Sequence, residues 1–251
     1  MKKKIIVYTA IFGDYSALIE QPKLENVEYI CYTDRTDYKS KSWKIVQVEK
    51  PVKDDNTRSN RYYKILPHKH LNKNCDISVY IDGNILILKD FSSLIEDKMS
   101  KAAMACFDHG QNAVDPRYCI YDEYDELMKI AEQLKQFKDI PEVMTKQIEQ
   151  FKSEGYPENN GLITAPILIR KHFKSNVVEL MENWWQIVKT QSKRDQLSFD
   201  YVKWKLNFED LSLIDGDVRE GNPWFYTMPH SLNYKSSIIK IKLKRFFSLK
   251  R

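Results

Sequence analysis

Only 7 glycines and 9 prolines occur in 251 residues, and the chain contains no low-complexity tract or internal repeat. Collagen-like, solenoid and linker-rich organisations are therefore excluded, because each needs a periodic or Gly/Pro-rich composition. The four cysteines, Cys31, Cys75, Cys106 and Cys119, are widely spaced and form no C-x-x-C pair. That argues against a zinc knuckle and for reduced thiols in a cytosolic compartment. No segment approaches the roughly 18 apolar residues needed to cross a bilayer. The opening "MKKKIIVYTAIFGDY" has a basic start and a short apolar run. The run breaks after about eight residues into Gly-Asp without a small-residue cleavage site, so a first β-strand is the better reading than a signal peptide. Nor is there a Gly-rich phosphate loop: "TAIFGDY" has a single glycine, which leaves a nucleotidyltransferase as the weakest enzyme class.

What remains is the composition of a folded globular protein, 42% hydrophobic and 12% aromatic, long enough for one large domain or two small ones. Net charge is +5, but 40 basic and 35 acidic residues are largely interspersed, so no nucleic-acid footprint is indicated. The exception is "KSSIIKIKLKRFFSLKR", with seven Lys or Arg and no acid. Residues 236–251 read either as a last strand or helix with a solvated basic edge, or as a basic amphipathic tail. In the second case Ile238, Ile239, Ile241, Leu243, Phe246, Phe247 and Leu249 enter an anionic membrane surface.

Residues 4–9, 28–33, 43–48, 77–82, 102–107 and 163–169 are short strand-like runs, several of them apolar almost throughout, as strands covered on both faces tend to be. Helical patterns lie between them. "TRSNRYYKILPHKHL" carries Tyr62, Ile65 and Leu66 on one face with a kink at Pro67, and "DEYDELMKIAEQLKQF" places Leu127, Ile130, Ala131 and Leu134 at helical spacing. "VVELMENWWQIVKT" and "RDQLSFDYVKWKL" repeat the pattern. Alternating strands and helices predict an α/β fold with a mostly parallel central sheet flanked by helices. The strand-free stretch at about 120–156 reads as a helical insertion, placed on the acceptor side of a 1–235 domain. In such sheets, ligands bind beyond the carboxyl ends of the strands.

"DISVYIDGNILI" interrupts an apolar strand with Asp82, Gly83 and Asn84. A hairpin turn explains it, because Gly reaches positive φ and Asp or Asn tolerates it. So does a metal site, because side chains at i and i+2 of an extended segment present two oxygens to a hard cation. "YTAIFGDY", "YTD" and "YIDGN" would end along one rim of the sheet. A nucleotide and metal site needs that convergence; a hairpin does not.

The order of "VYTAIFGDYSAL", "YICYTD", "RSNRYYKILPHKHL", "VYIDGNILI", "GLITAPILIRKH" and "WWQIVKTQSKRDQLSF" resembles the nucleotide-sugar glycosyltransferases of the GT-A fold. It is most similar to the glycosyltransferase-like family that includes plant mucilage and cell-wall proteins and many bacterial members. The match runs from about residue 4 to 230, with "RDQLSF" and "YIDGN" its most specific pieces.

The resemblance implies a sugar donor activated as a nucleoside diphosphate, most simply a uridine one, with Mn²⁺ or Mg²⁺ to meet the departing charge. Asp82 and Asn84 match the outer positions of a D-x-D-like motif, Asn84 supplying a neutral and weaker ligand, and His230 stands where a third ligand is expected, against a packed loop histidine. Arg58, Arg61 and Lys64 sit at i, i+3 and i+6 and are implied donor-diphosphate contacts. Thr9, Ala10, Asp14 and Asp34 are the implied base and ribose contacts, Asp34 reading equally as a cap. Asp195 and Gln196 are implied beside the transferred sugar. An Asp at a helix start is a poor base unless buried, so orientation is favoured for it over deprotonation. His109, with Asp108, is expected to face the sugar, and Arg117, Asp122 and Glu123 to address the acceptor. His68, His70 and His172 read as structural. The resulting expectation is a metal-dependent transferase acting on a glycan or lipid-linked polysaccharide, cytoplasmic or peripheral at the inner membrane face. The rival is a nucleotide-sugar-binding scaffold of the same fold without turnover.

Overall fold

A computed structural model of the chain describes residues 4–73, 75–135, 137–219 and 221–229. Among the described residues nine strands, with helices between them, form a seven-stranded central sheet and a separate two-stranded one. These are β1 (Ile5–Ile11), β2 (Val27–Thr33), β3 (Lys44–Gln47), α1 (Asn56–Ile65), β4 (Ile77–Ile81), β5 (Ile85–Ile87), α2 (Ser92–Lys101) and β6 (Met104–Asp108). There follow α3 (Ile120–Leu134), α4 (Pro141–Ser153), β7 (Ile163–Arg170), α5 (Ser175–Thr190), α6 (Phe199–Lys205), β8 (Leu211–Ile214) and β9 (Phe225–Thr227). The sheet order is β3-β2-β1-β4-β7-β6-β8, and β5 pairs with β9 in a separate two-stranded sheet. Strand β7 runs against both neighbours; every other pairing in the large sheet is parallel. The expected mostly parallel α/β architecture is what the chain adopts.

The apolar runs are continuous because both faces are covered. Tyr8, Tyr80 and Leu168 join Trp184, Met181 and Phe199 on one face, while Val7, Val79 and Ile169 join Phe91, Phe107 and Phe225 on the other. Burying side chains of this size stabilises by about 1.5–3 kcal/mol each. On the first face the guanidinium of Arg170, fully buried, donates to the carbonyls of Lys64 (2.8 Å) and Ile65 (3.4 Å) and to the Tyr8 hydroxyl. It thereby caps the carboxyl end of α1, where the helix dipole favours a cation, and fixes that helix on the sheet. No helix of the described residues is long and apolar enough to cross a membrane.

Several boundaries differ from expectation for identifiable reasons. The first helix stops at Ile65 instead of kinking through Pro67: Leu66 takes φ −109°, ψ 54°, the α region being disfavoured before proline, and Pro67–Lys69 forms a separate 3₁₀ turn. "RDQLSFDYVKWKL" is likewise two pieces, a 3₁₀ turn at Asp195–Leu197 and then α6. The turn at Asp82 is real, since its carbonyl accepts from the Ile85 amide at 2.9 Å. It is no hairpin, however, because β4 lies between β1 and β7 while β5 pairs with β9. Gly83 is needed for close approach, not for positive φ: a Cβ there would lie 2.8 Å from Ile11 Cδ1 and 3.3 Å from Ser16 Oγ. Strand β5 is the part of the interrupted run beyond Asn84, whereas β8 and β9 fall outside the expected strand-like runs. Helices α3 and α4 occupy the stretch read as an insertion.

Candidate functional site

Parallel strands β1 and β4 end at the same rim, and antiparallel β7 begins there, Ile81 pairing with Ile167. Over this rim lies a cleft of about 560 Å³, lined from the sheet by Ala10–Phe12, Asp82–Asn84 and Ala165–Pro166. Its other walls come from α1, from the Arg194–Gln196 turn, and from Phe137 and Lys138 in the α3–α4 connection.

One hydrogen-bonded chain organises the floor. Asn60 of α1 donates to the Ala10 carbonyl (2.5 Å) and to the Tyr80 hydroxyl (3.3 Å), which in turn donates to Asp82 Oδ1 at 2.8 Å. Arg61 Nη1 donates to Asn60 Oδ1 at 2.7 Å, and its Nε lies 3.1 Å from Asp195 Oδ1. Lys64 Nζ donates to the other oxygen of that carboxylate at 2.5 Å. Lys64 and Asp195 are 2% and 4% exposed. Burial alone would push the Asp195 carboxyl up, but Arg61 and Lys64 beside it hold it well below the usual carboxylate range. Burial, reinforced by Arg61, lowers Lys64, against which the Asp195 charge acts. Burial would likewise lower Arg61, yet Asp195 and then Asp82 raise it. The cluster is thus two cations sharing one carboxylate, beside a second carboxylate at Asp82. Burial, then Asp82, raises the Tyr80 phenol far above its ordinary value, so it stays a donor.

The turn carrying Asp195 is held from behind: Trp184 Nε1 donates to the Asp195 carbonyl at 2.9 Å, and Gln196 Nε2 to the Ile163 carbonyl at 2.9 Å. Arg194 reaches Glu123 of α3 at 3.3 Å. Glu123 is buried, which raises its carboxyl against Arg194 and Arg117.

The sequence candidates fall into two groups. Ala10, Asp14, Arg61, Lys64, Asp82, Asn84, Asp195 and Gln196 line the cleft. Asp14 does so at its outer edge, paired with Arg35 at 2.6 Å. Asn84 is buried, and its Nδ2 donates to the Met228 carbonyl at 2.9 Å. Arg58 does not line the cleft. It pairs with Asp55 (2.7 Å) and donates to the carbonyls of Val188 (3.0 Å) and Gln191 (2.5 Å), docking α1 on the carboxyl end of α5. Thr9 is buried beneath the rim. Asp34 accepts from the Gly13 amide at 2.9 Å and pairs with Lys50 at 3.3 Å, in a neighbouring shallow hollow. His109 is buried in a 3₁₀ turn after β6, away from the cleft lining, and burial, then Arg117 and Arg219, push its ring down to about 4. Arg117 is spent on Glu123 and on Asp115 (2.7 Å), and Asp122 accepts from the Tyr118 amide. His230 and the 236–251 tail lie outside the described residues. Asn60, Arg194, Phe137 and Lys138 are the additions. Asn60 and Arg194 each adjoin a candidate in sequence, which was the available signal.

Among the described residues no three His, Cys, Asp or Glu side chains come together as a metal site. The donors offered are Asp82 and the Asn84 turn. That set fits a small hard cation only as part of a ternary site, since Mg²⁺-like ions bind one or two carboxylates plus substrate phosphates and keep several waters.

Paired cations and an acidic turn thus meet in a cleft at the rim of this sheet. Residues 1–215 match the family described as the TOD1/MUCI70 glycosyltransferase-like domain, and the chain belongs to that family. Among solved structures it is similar to the galactosyltransferase LgtC in complex with donor and acceptor sugar analogs, at 12% identity and a TM-score of 0.46, covering 84% of this chain and 73% of that one. It is also similar to the glycosyltransferase GlyE of Streptococcus pneumoniae TIGR4 (10%, TM-score 0.46, 99% and 52%). A third is mouse xyloside xylosyltransferase 1 (10%, TM-score 0.44, 90% and 97%). The chain thus spans about half the length of GlyE. No curated protein matches it.

Proposed function

We propose that the cleft binds a nucleoside-diphosphate sugar, with uridine as the base, and transfers its sugar to a glycan or lipid-linked polysaccharide acceptor. The observation that carries this reading is the Arg61–Asp195–Lys64 cluster beside Asp82 at the cleft floor. A donor diphosphate brings concentrated negative charge, and fixed cations in a partly desolvated site meet it without reorganisation. Asp82, supported by Tyr80, would hold a divalent metal together with the donor phosphates, Asn84 shaping the turn. Such a metal supplies charge neutralisation for the departing nucleoside diphosphate.

Asp195 is held as an ion-paired carboxylate, so its role is to orient a sugar hydroxyl and hold Arg61 and Lys64 in place. A carboxylate so stabilised is a weak general base. Gln196 and Arg194 extend the same wall toward the acceptor. We place the enzyme at the inner face of the cell membrane, where a lipid-linked acceptor would be presented.

Calorimetric titration of UDP, with and without Mn²⁺, into the protein and its Asp82→Ala variant tests the donor site. Metal-dependent binding lost in the variant is the expected result. Binding indifferent to both metal and Asp82, or no binding, overturns the assignment.

A further inference from the structure

A second hollow opens beside the start of β7, lined among others by Asp108, Ile163, Asp200, Lys203, Trp204 and Leu213. Its volume of about 410 Å³ is in the range of small-ligand sites. The irregular β6–β7 ladder separates it from the cleft. Cys106 pairs with Leu168 but Phe107 with Thr164, which leaves Ala165, Pro166 and Ile167 without a partner on β6. Ala165 and Pro166 line the cleft, whereas Ile163 lines the hollow. The Ile163 peptide joins the two: its carbonyl accepts from Gln196 of the cleft wall, and its amide donates to Asp200 Oδ2, each at 2.9 Å.

Asp200 is 1% exposed, and no hydrogen bond reaches its Oδ1. Lys203 Nζ lies 3.3 Å from that oxygen. A buried acceptor without a donor is costly. A hydroxyl supplies what is missing, because it donates to the carboxylate and accepts from the ammonium at once. Trp204 of α6, half-buried against Tyr156 and Tyr201, and Leu213 of β8, 43% exposed, give the hollow an apolar side. A ring with hydroxyls at its edge and C–H groups on its faces satisfies both features. Asp108 and Glu209 add carboxylates to the lining, which disfavours an anionic ligand. A hard cation is disfavoured in turn by Lys203 at the open carboxylate oxygen.

We propose that this hollow is a second sugar subsite, holding a neutral unit of the acceptor glycan remote from its reacting end. Asp200 and Lys203 read a hydroxyl, and Trp204 packs on the sugar face. The inference rests on the transferase reading of the cleft, with the Ile163 segment as the boundary between the two sites.

The test is a screen of the full chain, without UDP, on an array of neutral and acidic oligosaccharides. Calorimetry of the tightest-binding oligosaccharide with the parent, Lys203→Met and Trp204→Ala follows. Binding to neutral oligosaccharides is expected, weakened about tenfold in each variant, with UDP affinity kept within twofold and the fold checked by circular dichroism. Because Trp204 also packs on the core, the partly exposed Lys203 is the deciding position. No oligosaccharide bound, a preference for acidic ones, a Lys203→Met variant that binds like the parent, or displacement of the glycan by UDP each overturns the proposal. Failure of the donor reading looks different: glycan binding that depends on Lys203 in a protein that ignores UDP upholds the hollow as a sugar site.

Discussion

Replacing Asp195 by Ala removes the carboxylate shared by Arg61 and Lys64, and the consequence can be worked from the geometry. Lys64 is 2% exposed and donates to Asp195 at 2.5 Å, so the variant leaves a buried ammonium with only the more distant Asp82 charge. Breaking a buried pair from one side costs about 3–5 kcal/mol. At about 2–4 °C per kcal/mol for a chain of this size, the melting temperature should fall by roughly 6–20 °C. Asp195→Asn keeps an oxygen acceptor for Lys64 and should lose about half as much. The pH dependence has a definite sign. Because the Asp195 carboxyl is held below its ordinary value, its contribution is complete above about pH 5 and is lost as pH falls toward the folded-state value. Asp195→Ala should therefore lack that part of the parent's acid limb. Urea denaturation at neutral pH and between about pH 5 and 3 measures both effects. A loss below about 1 kcal/mol, or an unchanged acid limb, would refute the claim that this is a buried, ionised pair.

Two further variants separate structure from binding. Arg58→Met should cost about 2 kcal/mol, from the lost contacts to Asp55 and the carbonyls ending α5. Its UDP affinity in calorimetry should stay within about twofold of the parent, and a tenfold loss without destabilisation would return Arg58 to the donor site. Asn84→Asp restores a second acid to the turn but sets a carboxylate against the Met228 carbonyl that the amide now serves. It should destabilise by about 1–3 kcal/mol while tightening Mn²⁺ in the presence of UDP by about tenfold. Thermal melts and metal titration read the two effects independently.

The sequence by itself determined the layered α/β architecture, because runs such as "KIIVYT" and "ISVYID" are apolar almost throughout and demand cover on both faces. It also brought Arg61, Lys64, Asp82 and Asp195 forward, since charge and turn chemistry at strand and helix ends are local signals. Tertiary structure alone decided which candidates meet. Lys64 and Asp195 are 131 residues apart in sequence, and no periodicity encodes that pairing. Arg58 and Lys64 are six residues apart on one helix, about 120° around its axis, so one faces α5 and the other the cleft. His109 follows β6, two strands removed from β4 in the sheet, about 10 Å away at ordinary strand spacing. Strand order is set by long-range packing, so the amide of Asn84 finds Met228 and Asp34 finds Gly13 only after the chain has folded.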